Sequence, residues 1–238
     1  MSNSIMVLGN SGQGKSTSYL PNAEIGIEGL DPKETFLINV RNKPLPARGW
    51  SNMYKLHHPK ENPDGNMICT ANYETIKAYL QNIPKKMPHI KNILIDDANY
   101  LMSGEFMQKS NEAGFQKYTV MAKNFYEIID LGTALPDNIN FIVIAHTEVV
   151  DGTYGIKTIG KLLSEKIKLE GLVTFTLFTT IKVGYEGGTE YGFITNSTRD
   201  ENGVVIPAKT PAGCFNELVI KNDLGYVVKE IEKYNKGE

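Results

Sequence analysis

The chain has 238 residues, 41% hydrophobic and 22% charged, which is ordinary soluble globular usage and excludes disordered and fibrous classes. With 25 basic against 27 acidic side chains the net charge is −2, so any contact with nucleic acid or anionic lipid needs a local cluster. Cys69 and Cys214 lie far apart with no CxxC or Cys/His pattern and read as two reduced thiols. The opening MSNSIMVLGN has no basic n-region and the apolar runs are too short to span a bilayer, so the expected setting is cytoplasmic, without membrane contact.

In chain order, the apolar run Ser4 to Leu8 predicts a strand ending at Gly9. A glycine-punctuated loop follows, then Lys15 to Leu20 with helical spacing, stopped early by Pro21. Thr35 to Val40 predicts a second strand. Beyond it Arg41, Lys43, Arg48, Lys55 and Lys60 interleave with Trp50, Tyr54, His57 and His58, and no acid intervenes. This stretch either follows a phosphate backbone and stacks bases, or is a solvated loop whose Trp packs on the body. Tyr73, Ile76, Leu80 and Ile83 share one helical face behind Asn72 as cap. Ile93 to Ile95 reads as a buried strand running into Asp96 and Asp97. After a looser Met- and Gly-containing segment, a helix is expected through Phe115, Tyr118, Phe125, Ile128 and Ile129.

Phe141 to Ala145 is a further buried strand, ending at His146, Thr147 and Glu148. Val173 to Val183, with Gly187, Gly188 and Tyr191 to Thr195, predicts a β-hairpin, and Asn202-Gly203 a tight turn. Leu224, Val227, Val228, Ile231 and Tyr234 form one face of a helix behind Asn222 or Asp223. These elements predict one α/β domain over 1–238, with a mostly parallel central sheet flanked by helices. Its core covers about 1–183, and hairpins and a C-terminal helix cover about 184–238.

Gly9-Asn10-Ser11-Gly12-Gln13-Gly14-Lys15-Ser16 fills every fixed position of G-x-x-x-x-G-K-[ST]. Ordinary residue frequencies give on the order of a one per cent chance of an accidental match in such a chain, before the strand-and-helix context is required. In such a loop backbone N–H groups turn inward around the β-phosphate, the helix N-terminus adds its positive end, and Lys15 reaches the β and γ oxygens. The cofactor-binding set is therefore Gly9, Asn10, Ser11, Gly12, Gln13, Gly14, Lys15, Ser16 and Thr17, with ATP and Mg²⁺ as cofactors. Ser16 and Asp96 are the expected Mg²⁺ ligands, since an apolar strand delivering an acid at its edge supplies the carboxylate. Asp97 either polarises the attacking water or caps the segment beginning at Ala98. His146 and Thr147 are placed to sense a γ-phosphate and pass its presence to Val149 to Lys168; for His146 the alternative is a hydrogen-bonded packing role. Lys157, Lys161, Lys166 and Lys168, partly offset by Glu165 and Glu170, make that segment a second candidate nucleic-acid contact.

The order GNSGQGKS at 9–16, ILIDD at 93–97 and FIVIAHTE at 141–148 resembles the RecA-like branch of P-loop ATPases. More narrowly it is similar to phage-encoded RecA-like ATPases, the Sak-type single-strand annealing group. The closing Lys209 to Phe215, followed by Asn222-Asp223-Leu224, is similar to the C-terminal segment of that group. The resemblance implies a RecA-like P-loop NTPase core in which the strand before His146 lies between the phosphate-loop strand and the Asp96 strand. It also implies Mg²⁺-dependent ATP hydrolysis by a homo-oligomeric ring or filament in phage recombination or replication. Single-stranded DNA would then lie near Ala98 to Gly114 and Val149 to Lys168.

The chain departs from that pattern in two places. Asn39-Val40-Arg41-Asn42 stands where RecA proteins carry a catalytic glutamate, so Asp97 or Glu148 must substitute, or hydrolysis is slow. Arg41, Arg48 and Arg199 are the only arginines, so a trans-acting finger is one of these or a lysine such as Lys182 or Lys209. The same scarcity argues against a nucleotide or small-metabolite kinase. No N-K-x-D run appears, since Asn42-Lys43 is followed by Pro44-Leu45, which argues against a GTP switch. A non-catalytic ATP-binding assembly protein stays open.

Overall fold

The computed structural model describes residues 1–183 and 188–238. Its first half contains β1 (Asn3–Leu8), a 3-10 turn (Thr17–Tyr19), β2 (Thr35–Asn39), the short α1 (Trp50–Met53), β3 (Met67–Cys69), α2 (Tyr73–Lys86), β4 (Asn92–Asp96) and α3 (Asn99–Gln108). Then follow α4 (Gln116–Thr133), β5 (Asn140–Ala145), β6 (Thr147–Val150), β7 (Thr153–Ile156), β8 (Phe175–Val183), β9 (Thr189–Ile194), β10 (Thr198–Arg199), β11 (Val205–Ile206), β12 (Val219–Lys221) and α5 (Leu224–Lys236).

The main sheet runs β12-β9-β8-β1-β5-β4-β2-β3. Strands β8 through β3 in that order are parallel, and β9 and β12 extend the sheet antiparallel. Strand β5 pairs with β1 on one side and β4 on the other, the strand order expected of a RecA-like core. The β8–β9 hairpin thus continues the central sheet; Gly187, expected in its turn, lies outside the described residues. A second sheet, β10-β11-β7-β6, starts where β5 ends, and Gly203 at φ +81° makes the expected turn between β10 and β11.

Alternation along the strands sorts the core into two faces, as period-two side-chain geometry requires. Met6, Leu8, Phe36, Ile38, Ile93, Ile95, Phe141 and Val143 pack against α2, α3 and α4. Ile5, Val7, Leu37, Leu94, Ile142 and Ile144 pack against α5 and the segment around Tyr19, Leu20 and Tyr54. The caps are as the sequence predicts: Asn72 accepts from Thr75 N, and Asp223 accepts from Gly225 N and Tyr226 N. Asp223 also accepts from Glu28 N and Gly29 N, tying α5 to the chain that follows the phosphate loop.

At the amino ends of the strands a polar row crosses the sheet. Asn3 Nδ2 donates to Asn140 Oδ1 at 2.9 Å, Asn140 Nδ2 to Asn92 Oδ1 at 2.8 Å, and Asn92 Nδ2 to Thr35 Oγ1 at 3.3 Å.

Three expectations need correction. Residues 15–20 form no helix beyond the 3-10 turn, because Pro21 supplies no N–H and Tyr19 and Leu20 turn into the core. The segment after Asp97 is helix α3 and not a loose connection, with Leu101 and Met102 buried. Val149 to Lys168, read from the sequence as a loop, begins with the β6–β7 hairpin and carries a short turn at Leu162–Lys166.

Replacing Asn140 with Ala breaks two links of the row and leaves Asn3 Nδ2 and Asn92 Oδ1 without these partners. Urea unfolding should show a loss of roughly 2–4 kcal/mol.

Candidate functional site

The parallel register Leu8↔Ala145 and Leu8↔Phe178 brings Gly9 out beyond the end of β5 and beside Thr179 in the middle of β8. Gly12 and Gly14 hold φ of +79° and +78°, a left-handed conformation that glycine adopts without steric cost. Gln13 Oε1 accepts from Asn10 N at 2.6 Å and Thr179 Oγ1 at 2.9 Å, fastening the loop to itself and to β8. Lys15 Nζ folds back onto Gly9 O at 2.9 Å and Asn10 O at 2.7 Å, and lies 3.5 Å from His146 Nδ1. Burial lowers the Lys15 pKa to about 8, against the pull of Asp97 and Asp96. One 3-10 turn adds little macrodipole, so anion binding here rests on the loop's N–H groups and Lys15, not on a helix N-terminus.

Asp96, at the carboxyl edge of β4, is enclosed by hydroxyls. Its Oδ1 accepts from Ser16 Oγ at 3.1 Å and its Oδ2 from Tyr19 OH at 2.9 Å. Burial pushes this carboxyl up to about 6, with the Asp97 charge adding to the shift and the two hydroxyls partly offsetting it. The Ser16–Asp96 oxygen pair suits a hard cation. Among the described residues no group of three or more His, Cys, Asp or Glu could hold a metal, so phosphate oxygens and water would complete a Mg²⁺ shell.

Asp97 turns the chain out of β4 at φ +62°, a left-handed conformation that Asp tolerates better than most residues. Its carboxylate pairs with Lys43 Nζ, and its Oδ1 lies 3.6 Å from His146 Nε2. Burial opposes its ionisation, but His146 and Lys43 together hold the carboxyl below its usual range. No side chain caps α3, and only the main-chain O of Asp97 meets it, from Tyr100 N at 3.0 Å, so the capping alternative fails.

Asn99 fixes His146 through its backbone: the Asn99 carboxamide accepts from His146 N and donates to His146 O at 3.3 Å and Lys157 O at 2.5 Å. Thr147 Oγ1 donates to Asn10 Oδ1 at 2.9 Å, joining β6 to the phosphate loop. Lys15, Ser16, Lys43, Asp97, Tyr100, His146 and Tyr191 thus line one cleft of about 310 Å³. Glu148 does not line that cleft; its carboxylate accepts from Thr158 N at 2.9 Å and braces the base of the hairpin.

Within the stretch from Arg41 to Lys60 the basic residues are exposed and several of the aromatic residues pack on the body. Tyr54 is buried, Trp50 packs on the core, and His57 Nδ1 sits 2.8 Å from Tyr79 OH. Lys43 belongs to the phosphate cleft, Arg48 pairs with Glu24 at 3.3 Å, and Arg41 lies 4.6 Å over the Tyr100 ring. Among the finger candidates, Arg199 donates to Gly203 O at 2.7 Å and Lys209 to Val173 O at 2.7 Å, both structural contacts. Sequence reasoning missed Tyr19, Lys43 and Asn99 as site residues. Only Tyr19, a hydroxyl one turn after Ser16, carried a local signal.

No family model matches this chain, and no curated protein matches it. Among solved structures it is similar to a KaiC-like protein from the hyperthermophilic archaeon Pyrococcus horikoshii OT3. That likeness has 13% identity and a TM-score of 0.42, covering 81% of this chain and 77% of that one. Strand order and the position of the phosphate loop, not this likeness, carry the fold assignment. Among the described residues no helix is long and apolar enough to cross a membrane, and both cysteines are free.

The Asp96 titration has a definite sign. Between its ordinary 3.8 and about 6 the folded state keeps a proton that the unfolded state releases, so stability falls as pH rises through that window. Asp96→Asn should therefore stabilise the nucleotide-free protein by on the order of 1–3 kcal/mol at pH 8 and by almost nothing at pH 3.5, in urea unfolding at both values.

Proposed function

We propose that this chain binds ATP with Mg²⁺ at the phosphate loop, hydrolyses it slowly, and couples the bound nucleotide to single-stranded DNA as a homo-oligomer in phage recombination or replication. The observation that carries the nucleotide reading is the meeting of Ser16 and Asp96 at 3.1 Å beside Lys15, across the β1 and β4 edges. Mg²⁺, when bound, would neutralise charge on the β- and γ-phosphates. Ser16 and Asp96 would hold it, and Tyr19 keeps Asp96 turned towards Ser16. Lys15 would exchange the Gly9 and Asn10 carbonyls for phosphate oxygens.

Asp97 is the acid placed to orient water, and Glu148 is occupied elsewhere. A carboxylate held below its usual range by Lys43 and His146 is a weak base, which supports slow turnover. No arginine lines the phosphate cleft among the described residues, which disfavours a kinase that must clamp a transferred phosphoryl group.

The DNA part draws on the sequence resemblance and on one structural link. Thr147 touches the phosphate loop, and Asn99 joins the His146 backbone to Lys157 O. Lys157, Lys161, Lys166 and Lys168 are all exposed beyond that link, while Glu170 turns inward to accept from Ile156 N. A γ-phosphate sensed at His146 or Thr147 would move this lysine-bearing segment. The oligomer and the phage setting rest on the resemblance alone.

Lys15→Ala should lower phosphate release from ATP by on the order of a hundredfold or more. Asp97→Asn should bind ATP within a few-fold of the parent yet hydrolyse it at least about tenfold more slowly; equal hydrolysis would remove Asp97 from the water-orienting role. Changing Lys157, Lys161, Lys166 and Lys168 together to Ala should flatten the salt dependence of single-stranded DNA affinity. The log–log slope should fall by up to about 3, with DNA-free hydrolysis retained.

A further inference from the structure

We infer that the nucleoside end of the triphosphate occupies a second cleft on the β9 and β12 flank of the phosphate loop, where Tyr191 stacks on the base and the Asn222 carboxamide hydrogen-bonds to its edge. This inference rests on the nucleotide reading of the phosphate loop.

The sheet order gives the direction. Strands β5 and β4, which deliver His146, Asp96 and Asp97, lie on one side of β1, whereas β8, β9 and β12 lie on the other. A nucleotide whose terminal phosphates sit among Ser16, Asp96 and His146 must carry its sugar and base away from the acids. On the opposite flank the turn Ile25–Ile27, β9 and β12 enclose a cleft of about 520 Å³. Tyr191 lines both this cleft and the phosphate cleft, so the two adjoin at that ring.

Tyr191 is 41% exposed, an unusual place for a ring packed on a glycine loop. A Cβ built on Gly14 would lie 3.0 Å from the Tyr191 Cδ1 and 3.1 Å from Asn222 Oδ1, so both side chains abut the phosphate loop itself. Asn222 is only 4% exposed, and among the described residues neither its Nδ2 nor its Oδ1 has a hydrogen-bond partner. Buried amides are nearly always paired, because each unpaired group costs stability, and such an orphan calls for an explanation. Capping gives none, since the adjacent Asp223 caps α5. A donor and an acceptor side by side complement the donor–acceptor edge of a nucleobase, and an aromatic face beside them offers stacking. Tyr191 and the carboxamide meet at Gly14 and line the same cleft, and the ring's exposed position leaves it room to swing aside and admit a base. Thr180, Lys182 and Glu190 give the same cleft a polar rim for sugar hydroxyls.

The test titrates the full chain, with Mg²⁺, against ATP and against inorganic tripolyphosphate by calorimetry, comparing the parent with Lys15→Ala, Tyr191→Ala and Asn222→Ala. Tyr191→Ala and Asn222→Ala should each weaken ATP binding by about tenfold or more and change tripolyphosphate binding by less than about twofold, whereas Lys15→Ala should weaken both. Tyr191→Phe should restore ATP affinity, and Asn222→Ala should melt no lower than the parent, because no hydrogen bond is lost. If the Tyr191 and Asn222 variants bind ATP as the parent does, or lose ATP and tripolyphosphate equally, while Lys15→Ala loses both, this inference falls and the phosphate-loop reading stands. If Lys15→Ala loses neither ligand, both fall. Should Asn222→Ala fail to fold, the surface variant Tyr191→Ala decides.

Discussion

Four strands of the central sheet begin on one row of side-chain hydrogen bonds, from Asn3 through Asn140 and Asn92 to Thr35. Strand side chains repeat every two residues, so a slip of one residue would turn every core residue of a strand to the other face and break the row at once. Apolar neighbours alone would tolerate such a slip better, because both faces of these strands are buried. Fixing where short parallel strands start also fixes where they finish. A slip of one position moves a strand by about 3.3 Å, more than enough to part Asp96 from Ser16, now 3.1 Å away. The polar row at one edge of the sheet therefore sets the geometry at the opposite edge, where the phosphate loop and both acids lie.

The charged groups at that edge satisfy one another. Lys15 rests on two carbonyls, Asp96 between two hydroxyls, and Asp97 between Lys43 and His146. Burial of so many ionisable groups is tolerable because each has partners, and removing one partner leaves the other exposed to the low local dielectric. A triphosphate entering the cleft would replace contacts already made. Its affinity is then a difference between two well-satisfied states, and residues that release their internal partners readily, such as the half-exposed Lys43, set that difference.

How much of this was legible in the sequence depends on how local each signal is. The phosphate loop was readable because its glycines, Lys15 and Ser16 are fixed by backbone geometry within eight residues. Strands β1, β2, β4 and β5 were readable as apolar runs because both faces are covered. Helix α3 was not: Tyr100, Leu101, Met102, Phe106 and Met107 wrap around it and Gly104 interrupts it, so no single apolar stripe exists. The β6–β7 hairpin hid behind Gly152 and Gly155 and a half-exposed surface without clean alternation. In the basic stretch composition cannot tell a stacking Tyr from a buried one; Tyr54 goes inward to meet Tyr19, a contact across 35 positions of chain. The pairing of Lys43 with Asp97, and of Tyr191 and Asn222 with Gly14, joins residues distant in sequence and had no local trace.

The carboxylate of Asp223 holds the main chain at Glu28 and Gly29, just after the Asn22–Ile27 turn that follows the phosphate loop. Those two stretches are 194 and 195 positions apart in the chain. The loop is synthesised before its anchor, and strand β8, which flanks the loop through Thr179, also follows it in the chain. A nascent chain can form the local hydrogen bonds of the loop early, but the turn behind it stays unanchored until residues 223–225 are free to fold. The main chain that follows the loop therefore reaches its final set of contacts only through residues made long after the loop itself.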